Sequence, residues 1–321
     1  MLYPLKLQAP LKDYLWGGTK LKSQFHKKTQ LEKVAESWEL SCHKDGSSVI
    51  VNGEYQGMTL PDYIEKVGKD VLGKNSEAFT YFPILIKIID AADNLSVQVH
   101  PENEYALKVE GEYGKTEMWY IVDCDEDASL LYGFKEQISK EEFKQRIESN
   151  TLLEVCNQVP VKKGDVFFID AGTLHAINKG IVTVEIQQNS NTTYRIYDYG
   201  RVGVDGKPRQ LHVEKAMDVT KLIPSTKPTK AMATMNFFAD YDMALLAKSE
   251  YFTVYNFNIK KQCNFIADET SFQSILVLAG DLTLSYLDQT LNLTKGDSVF
   301  VPANMGEYKL VGQAEIIFSM V

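Results

Sequence analysis

A mainly β fold in two consecutive β domains, the first carrying helical insertions, follows from three features of the sequence. Short apolar segments bounded by turn residues recur along most of the chain, the pattern of a β sandwich or barrel. Helical spacing of apolar residues is confined to a few segments, which read as insertions. The stretch 223–231, IPSTKPTKA, holds two prolines and no hydrophobic period, and so marks a linker. Together they place a larger domain at 1–231 and a smaller β domain at 232–321.

In chain order, TLPDYIEKVGKDVLG is the first helix, with Thr59 as N-cap and Pro61 in its first turn. The apolar run ILIKII follows and leads into SVQVH. Side chains alternate faces along a strand, so Ser96, Gln98 and His100 share one face while Val97 and Val99 share the other. In KTEMWYIV the same period puts Lys115, Glu117 and Trp119 together. Ser139 and Glu142 form a capping box, and the helix they open extends through SKEEFKQRIESNTLLEVCNQV with Phe143, Ile147, Leu152 and Leu153 on its apolar side. The strands DVFFID and IVTVEIQ complete the first domain; beyond the linker come YFTVYNFNI, SILVLAG, LTLSYL and SVFVP.

A weak repeat crosses the linker. KKGDVFFIDAGTLHAI aligns with TKGDSVFVPANMGEYKL at an offset of 132 residues, each placing a strand after a Gly-Asp turn. Glu307 stands where the first copy has His175, so only the first copy is equipped with a histidine.

Composition narrows the function. A formal net charge of -9 argues against broad nucleic-acid binding, which needs clustered Lys and Arg. No stretch approaches the roughly 18 apolar residues that span a bilayer. The start, MLYPLKLQAP, lacks the apolar run of a signal peptide. Cys42, Cys124, Cys156 and Cys263 lie far apart without zinc-finger spacing, as expected for reduced thiols in a cytoplasmic protein.

The residues that carry chemistry are His100, Glu117 and His175, the last delivered after DVFFID by the turn at Gly172. Two imidazoles and a carboxylate suit a divalent first-row metal, zinc or iron, and Gln98 can join through its amide oxygen. The competing reading is a pair of hydrogen-bonded structural histidines. Lys87 within ILIKII is costly in an apolar strand unless paired or facing a polar cavity. Trp16 and Trp38 fit either the core or a sugar-stacking surface.

GDVFFIDAGTLHAIN resembles the second motif of the cupins, with Asp170 where proline is usual. SVQVHPENEYA, followed by GKTEMWY and GTLHAI, resembles more specifically the type I mannose-6-phosphate isomerases, zinc-dependent cupins. The likeness extends to LWGGTKL, AESWELS and VEIQQNSNTTYRIYDYGR, and covers most of residues 1–215. It implies a catalytic cupin (jelly-roll) barrel followed by a cupin-like domain without metal ligands. It also implies one zinc per chain held by Gln98, His100, Glu117 and His175, a catalytic Arg195, Lys115 and Glu185 beside the metal, and Lys87 and Ser96 toward the phosphate. Asn191 departs from the aspartate that many longer relatives carry before the arginine.

Such an enzyme moves a proton between C1 and C2 of a sugar phosphate through an enediolate, converting mannose 6-phosphate to fructose 6-phosphate and back. Arg195 and Lys115 can offset the developing negative charge, and either Glu185 or Lys115 can serve as base. Several plainer readings stay open. Arg195 with Asp198 can form a surface ion pair, and Glu185 can merely orient His175. The phosphate pocket can draw on Lys87, Ser96, Arg195, Arg201 or Lys207. A sugar-phosphate binding or regulatory protein with a structural metal is the alternative of a different class, and an iron-dependent oxygenase is a third.

Overall fold

The computed structural model describes residues 1–203 and 206–321. It is mainly β, with two antiparallel sheets facing each other in the N-terminal part. One runs in the order Val166–Ile169, Glu117–Cys124, Ile181–Gln188, Ile84–Ala91, Glu36–Leu40 and Leu11–Lys12. The other runs Cys156–Pro160, Ser129–Phe134, His175–Ile177, Val97–Val99 and Tyr194–Tyr197. Between them Trp16, Ile89, Trp119, Ile121, Leu130, Tyr132, Phe167 and Ile169 form a buried cluster.

The opposite faces explain why these strands are so apolar. Ile84, Ile86, Ile88, Met118, Tyr120, Val182 and Val184 pack outward against Phe252, Val254, Leu276, Phe300 and Ile317 from the C-terminal part. A strand buried on both faces reads as a continuous apolar run, as ILIKII does. Val97 and Val99 pack outward too, against Phe143 and Ala216 on the helices Lys140–Glu148 and Val213–Val219. The polar face of SVQVH is left pointing into the barrel.

Eight C-terminal strands and two N-terminal ones form a ten-stranded sheet among the described residues: Leu5–Gln8 lies between Ser298–Val301 and Val49–Ile50. The repeat is visible as a shared turn. Asp165 accepts the Lys162 N–H at 2.9 Å, and Asp297 accepts the Thr294 N–H at 2.8 Å. Gly164 and Gly296 sit at φ 90° and 91°, where a side chain is strained.

Several elements differ from the sequence expectation. The helix opened by Ser139, which accepts the Glu142 N–H at 3.0 Å, stops at Glu148 rather than continuing to 159. Asn150 then takes a left-handed conformation at φ 63°, Leu152–Glu154 makes a single 3-10 turn, and Cys156–Pro160 is a strand. The first helix likewise ends at Val67, before Gly68 at φ 109°, with Thr59 accepting the Asp62 N–H. SILVLAG and LTLSYL are one strand, Gln273–Tyr286, with a register shift between Val277 and Ala279, beyond which Gly280 pairs with Ala314. The linker 223–231 holds neither helix nor strand. Among the described residues, no helix is long and apolar enough to cross a membrane.

Candidate active site

The polar faces of the two sheets meet inside the barrel. In one sheet His175, Gln98 and Arg195 stand side by side in register across three strands. From the facing sheet come Glu117, Glu185 and Lys87, with Glu185 opposite Lys87 on one side and Trp119 on the other. Gly172 makes the approach to His175 possible: its N–H bonds the His100 carbonyl at 2.7 Å, its φ is 86°, and a Cβ there would meet the Val219 carbonyl at 2.9 Å.

His100, Glu117 and His175 are fully buried, and their ligand atoms lie within 4.8 Å of one another. The Nδ1 of His100 is 2.9 Å from the Thr192 carbonyl and that of His175 is 2.8 Å from the Thr173 carbonyl. Each carbonyl can only accept, so each imidazole carries its proton on Nδ1 and turns an Nε2 lone pair inward. His175 Nε2 is 3.4 Å from Glu117 Oε1, and His100 Nε2 is 3.7 Å from Glu117 Oε2. Neither Glu117 oxygen accepts a well-directed hydrogen bond, although Lys115 Nζ lies 3.0 Å from Oε2. A buried carboxyl with Lys115 on one side and two inward lone pairs on the other fits a divalent cation. Gln98 Nε2 is 3.4 Å from His175 Nε2, and turning the carboxamide over places its oxygen there instead.

Charge in the pocket is balanced by pairing. Lys87 Nζ contacts Glu185 Oε1 at 3.0 Å and Glu36 Oε2 at 3.8 Å, and lies 5.4 Å from the Trp38 ring centre. Lys115 Nζ is also 3.3 Å from His100 Nε2 and 3.7 Å from Glu185 Oε1. Burial pushes Glu117 up to about 8, helped by the Glu185 charge. Glu185 is buried as deeply, but Lys115 and Lys87, with hydrogen bonds from Lys87 and the Trp119 indole, outweigh that and hold it down to about 2. Burial lowers both histidines, His175 to about 4, so both are neutral at pH 7.

The remaining expected residues divide. Arg195 Nε donates to Ser96 Oγ at 3.3 Å and its Nη1 to the Gln210 carbonyl at 3.0 Å, placing both Arg195 and Ser96 at the rim beside Gln98. Lys87, from the facing sheet, pairs with the two carboxylates of Glu185 and Glu36. Arg195 makes no ion pair with Asp198, whose partners are Arg201 at 2.6 Å and Arg209 at 2.5 Å. Glu185 does not orient His175 either; its oxygens go to Lys87 and to Trp119 Nε1, the latter at 2.9 Å. Trp38 is completely buried and Trp16 nearly so, which places both in the core. Glu36 and Trp119 were not singled out from the sequence, although Trp119 shares the face of Lys115 and Glu117, and Glu36 lies in AESWELS.

Residues 4–127 match the model of the type I phosphomannose isomerase catalytic domain, and residues 242–321 that of the mannose-6-phosphate isomerase cupin domain. Mannose-6-phosphate isomerase of Streptococcus mutans is 38% identical over 319 residues, 99% of this chain and 98% of that protein. The probable mannose-6-phosphate isomerase GmuF of Bacillus subtilis is 39% identical over 321 residues, 99% of each. The crystal structure of mannose 6-phosphate isomerase from Bacillus subtilis superposes with a TM-score of 0.91 at 34% identity, covering 99% of both chains. With near-complete coverage at this identity and a shared cupin fold, the chain belongs to the type I mannose-6-phosphate isomerase family.

Proposed function

We propose that the chain is a zinc-dependent aldose-ketose isomerase that interconverts mannose 6-phosphate and fructose 6-phosphate through an enediolate. The carrying observation is the buried Glu117 carboxyl, which sits between two inward-facing Nε2 lone pairs. His100, Glu117, His175 and Gln98 would hold one zinc per chain. When bound, zinc supplies Lewis-acid stabilisation to the oxygens on C1 and C2 of the sugar.

The protein's own residues do the rest. Lys115, wedged among His100, Glu117 and Glu185, and Arg195 at the rim provide positive charge for an enediolate. Glu185, kept ionised by two lysines, and Lys115 are the groups placed to move the proton. Ser96 and Arg195 form the polar rim suited to the phosphate end, and Lys87 keeps Glu185 charged and in place. The same reading divides the chain near residue 231 into a catalytic cupin domain and a cupin-like domain with Glu307 at the repeat position of His175. It needs neither nucleic acid nor membrane, and it assigns the protein to the cytoplasm, where its four unpaired cysteines would stay reduced.

Exchange of the C2 hydrogen with solvent deuterium, followed by NMR on mannose 6-phosphate, tests the isomerase reading against a binding protein with a structural metal. Zinc-loaded protein should exchange the position, and Arg195→Ala should slow exchange by about 100-fold or more while retaining its metal. Absence of exchange in the zinc-loaded parent would refute the isomerase; unchanged exchange in the variant would remove Arg195 from catalysis.

A further inference from the structure

Residues 189–193 have no regular structure, yet the Thr192 carbonyl fixes the proton and the direction of His100. What holds Thr192 is therefore part of the metal site's construction. Glu112, in the turn after helix Asn103–Val109, reaches this loop: its Oε2 accepts the Asn191 N–H at 3.2 Å and the Thr192 hydroxyl at 3.4 Å. Its other oxygen pairs with Lys44 at 2.5 Å, and His43 Nε2 lies 3.6 Å from Oε2. Lys44 and His43 belong to the ribbon Cys42–His43 and Gly46–Ser47, which grips the loop a second time: Asn191 Nδ2 donates to Asp45 Oδ2 at 2.8 Å.

We propose that Glu112 is a positioning residue for His100, clamping the 191–192 backbone together with Asp45 so that the Thr192 carbonyl holds the imidazole with Nε2 directed at Glu117 and His175. The inference rests on the zinc-site reading above. Loop backbone that bonds only water is free to move, whereas a carboxylate accepting a backbone N–H and a hydroxyl makes charge-assisted bonds of roughly twice the neutral strength. Partners behind a metal-bound histidine fix its tautomer and ring orientation. The clamp also accounts for Asn191. An aspartate there would set a third carboxylate against Asp45 and Glu112, whereas the amide supplies the donor that Asp45 needs.

Zinc affinity of the purified full-length protein, measured by competition with a chromophoric chelator, tests this in the parent, Glu112→Ala, Glu112→Gln and Asn191→Asp. Glu112→Ala and Asn191→Asp should bind zinc about tenfold more weakly, with Glu112→Gln within about threefold of the parent because an amide oxygen still accepts both bonds. A merely structural role would lower the thermal midpoint of the metal-free variants without moving their zinc affinity, so both are recorded. Glu112→Ala and Asn191→Asp proteins that hold zinc as tightly as the parent would overturn the proposal; should Glu112→Ala fail to fold, Asn191→Asp decides alone. A parent that binds no zinc would overturn the zinc reading itself, and this inference with it.

Discussion

Glu117 and Glu185 show how one pocket sets two buried carboxylates to opposite protonation states. Glu185 faces two lysines and an indole N–H, whereas Glu117 faces lone pairs and a single lysine, so the proton of the pair sits on Glu117. A carboxyl raised from its ordinary range to about 8 favours folding below its unfolded value of about 4.3, and that contribution is lost as pH rises through 8. Zinc must displace this proton, while both histidines are already neutral. Calorimetry in buffers of different ionisation heat should therefore show about one proton released per zinc between pH 6 and 7. Affinity should rise with pH as this proton becomes easier to displace. Lys87 gives a second expectation at this scale. Its removal in Lys87→Met leaves Glu185 and Glu36 buried with one cation fewer, and should cost about 3–5 kcal/mol in denaturant unfolding. Most of these side chains were legible in the sequence because period two placed them on polar faces of apolar strands. Glu112 and Thr192 were not, since they act from irregular loops through backbone groups, where no period signals direction.

At the scale of elements, the strand Ile84–Ala91 does two jobs. Lys87 and Ile89 face the barrel interior, while Ile84, Ile86 and Ile88 face the C-terminal sheet. Ile86 is buried to 1% exposure between two sheets that cannot easily collapse onto a void. Ile86→Ala should therefore cost about 2–5 kcal/mol of stability, while zinc affinity, read on the folded protein, stays unchanged. Strands such as this one were readable because a short apolar run bounded by turn residues is a local signal. The helix from Ser139 was read too long, because apolar spacing at Leu152 and Leu153 continued past its end. The left-handed turn at Asn150, which breaks it, leaves only a weak sequence trace. Gln273–Tyr286 was read as two strands for the opposite reason. Gly280 looks like a turn, but it falls where pairing with Gly306–Met320 continues past a bulge.

Across the whole molecule, the two halves share surfaces that neither can leave exposed. Strand Leu5–Gln8 completes the C-terminal sheet, and Tyr120 donates to Glu315 at 2.6 Å beneath the barrel's outer face. Residues 1–231 expressed alone should be aggregation-prone or bind a hydrophobic dye, since the isoleucine face and Leu5–Gln8 would lose their partners; a monomeric, cooperatively unfolding fragment would show instead that the halves are energetically independent. This shared packing was not legible, because pairing between residues nearly three hundred positions apart leaves no local signal. Turnover of mannose 6-phosphate by metal-stripped protein titrated with zinc joins all three scales in one experiment. Activity should be lost on chelation and return in proportion to zinc, saturating at about one equivalent per chain. Full turnover by metal-free protein would contradict it.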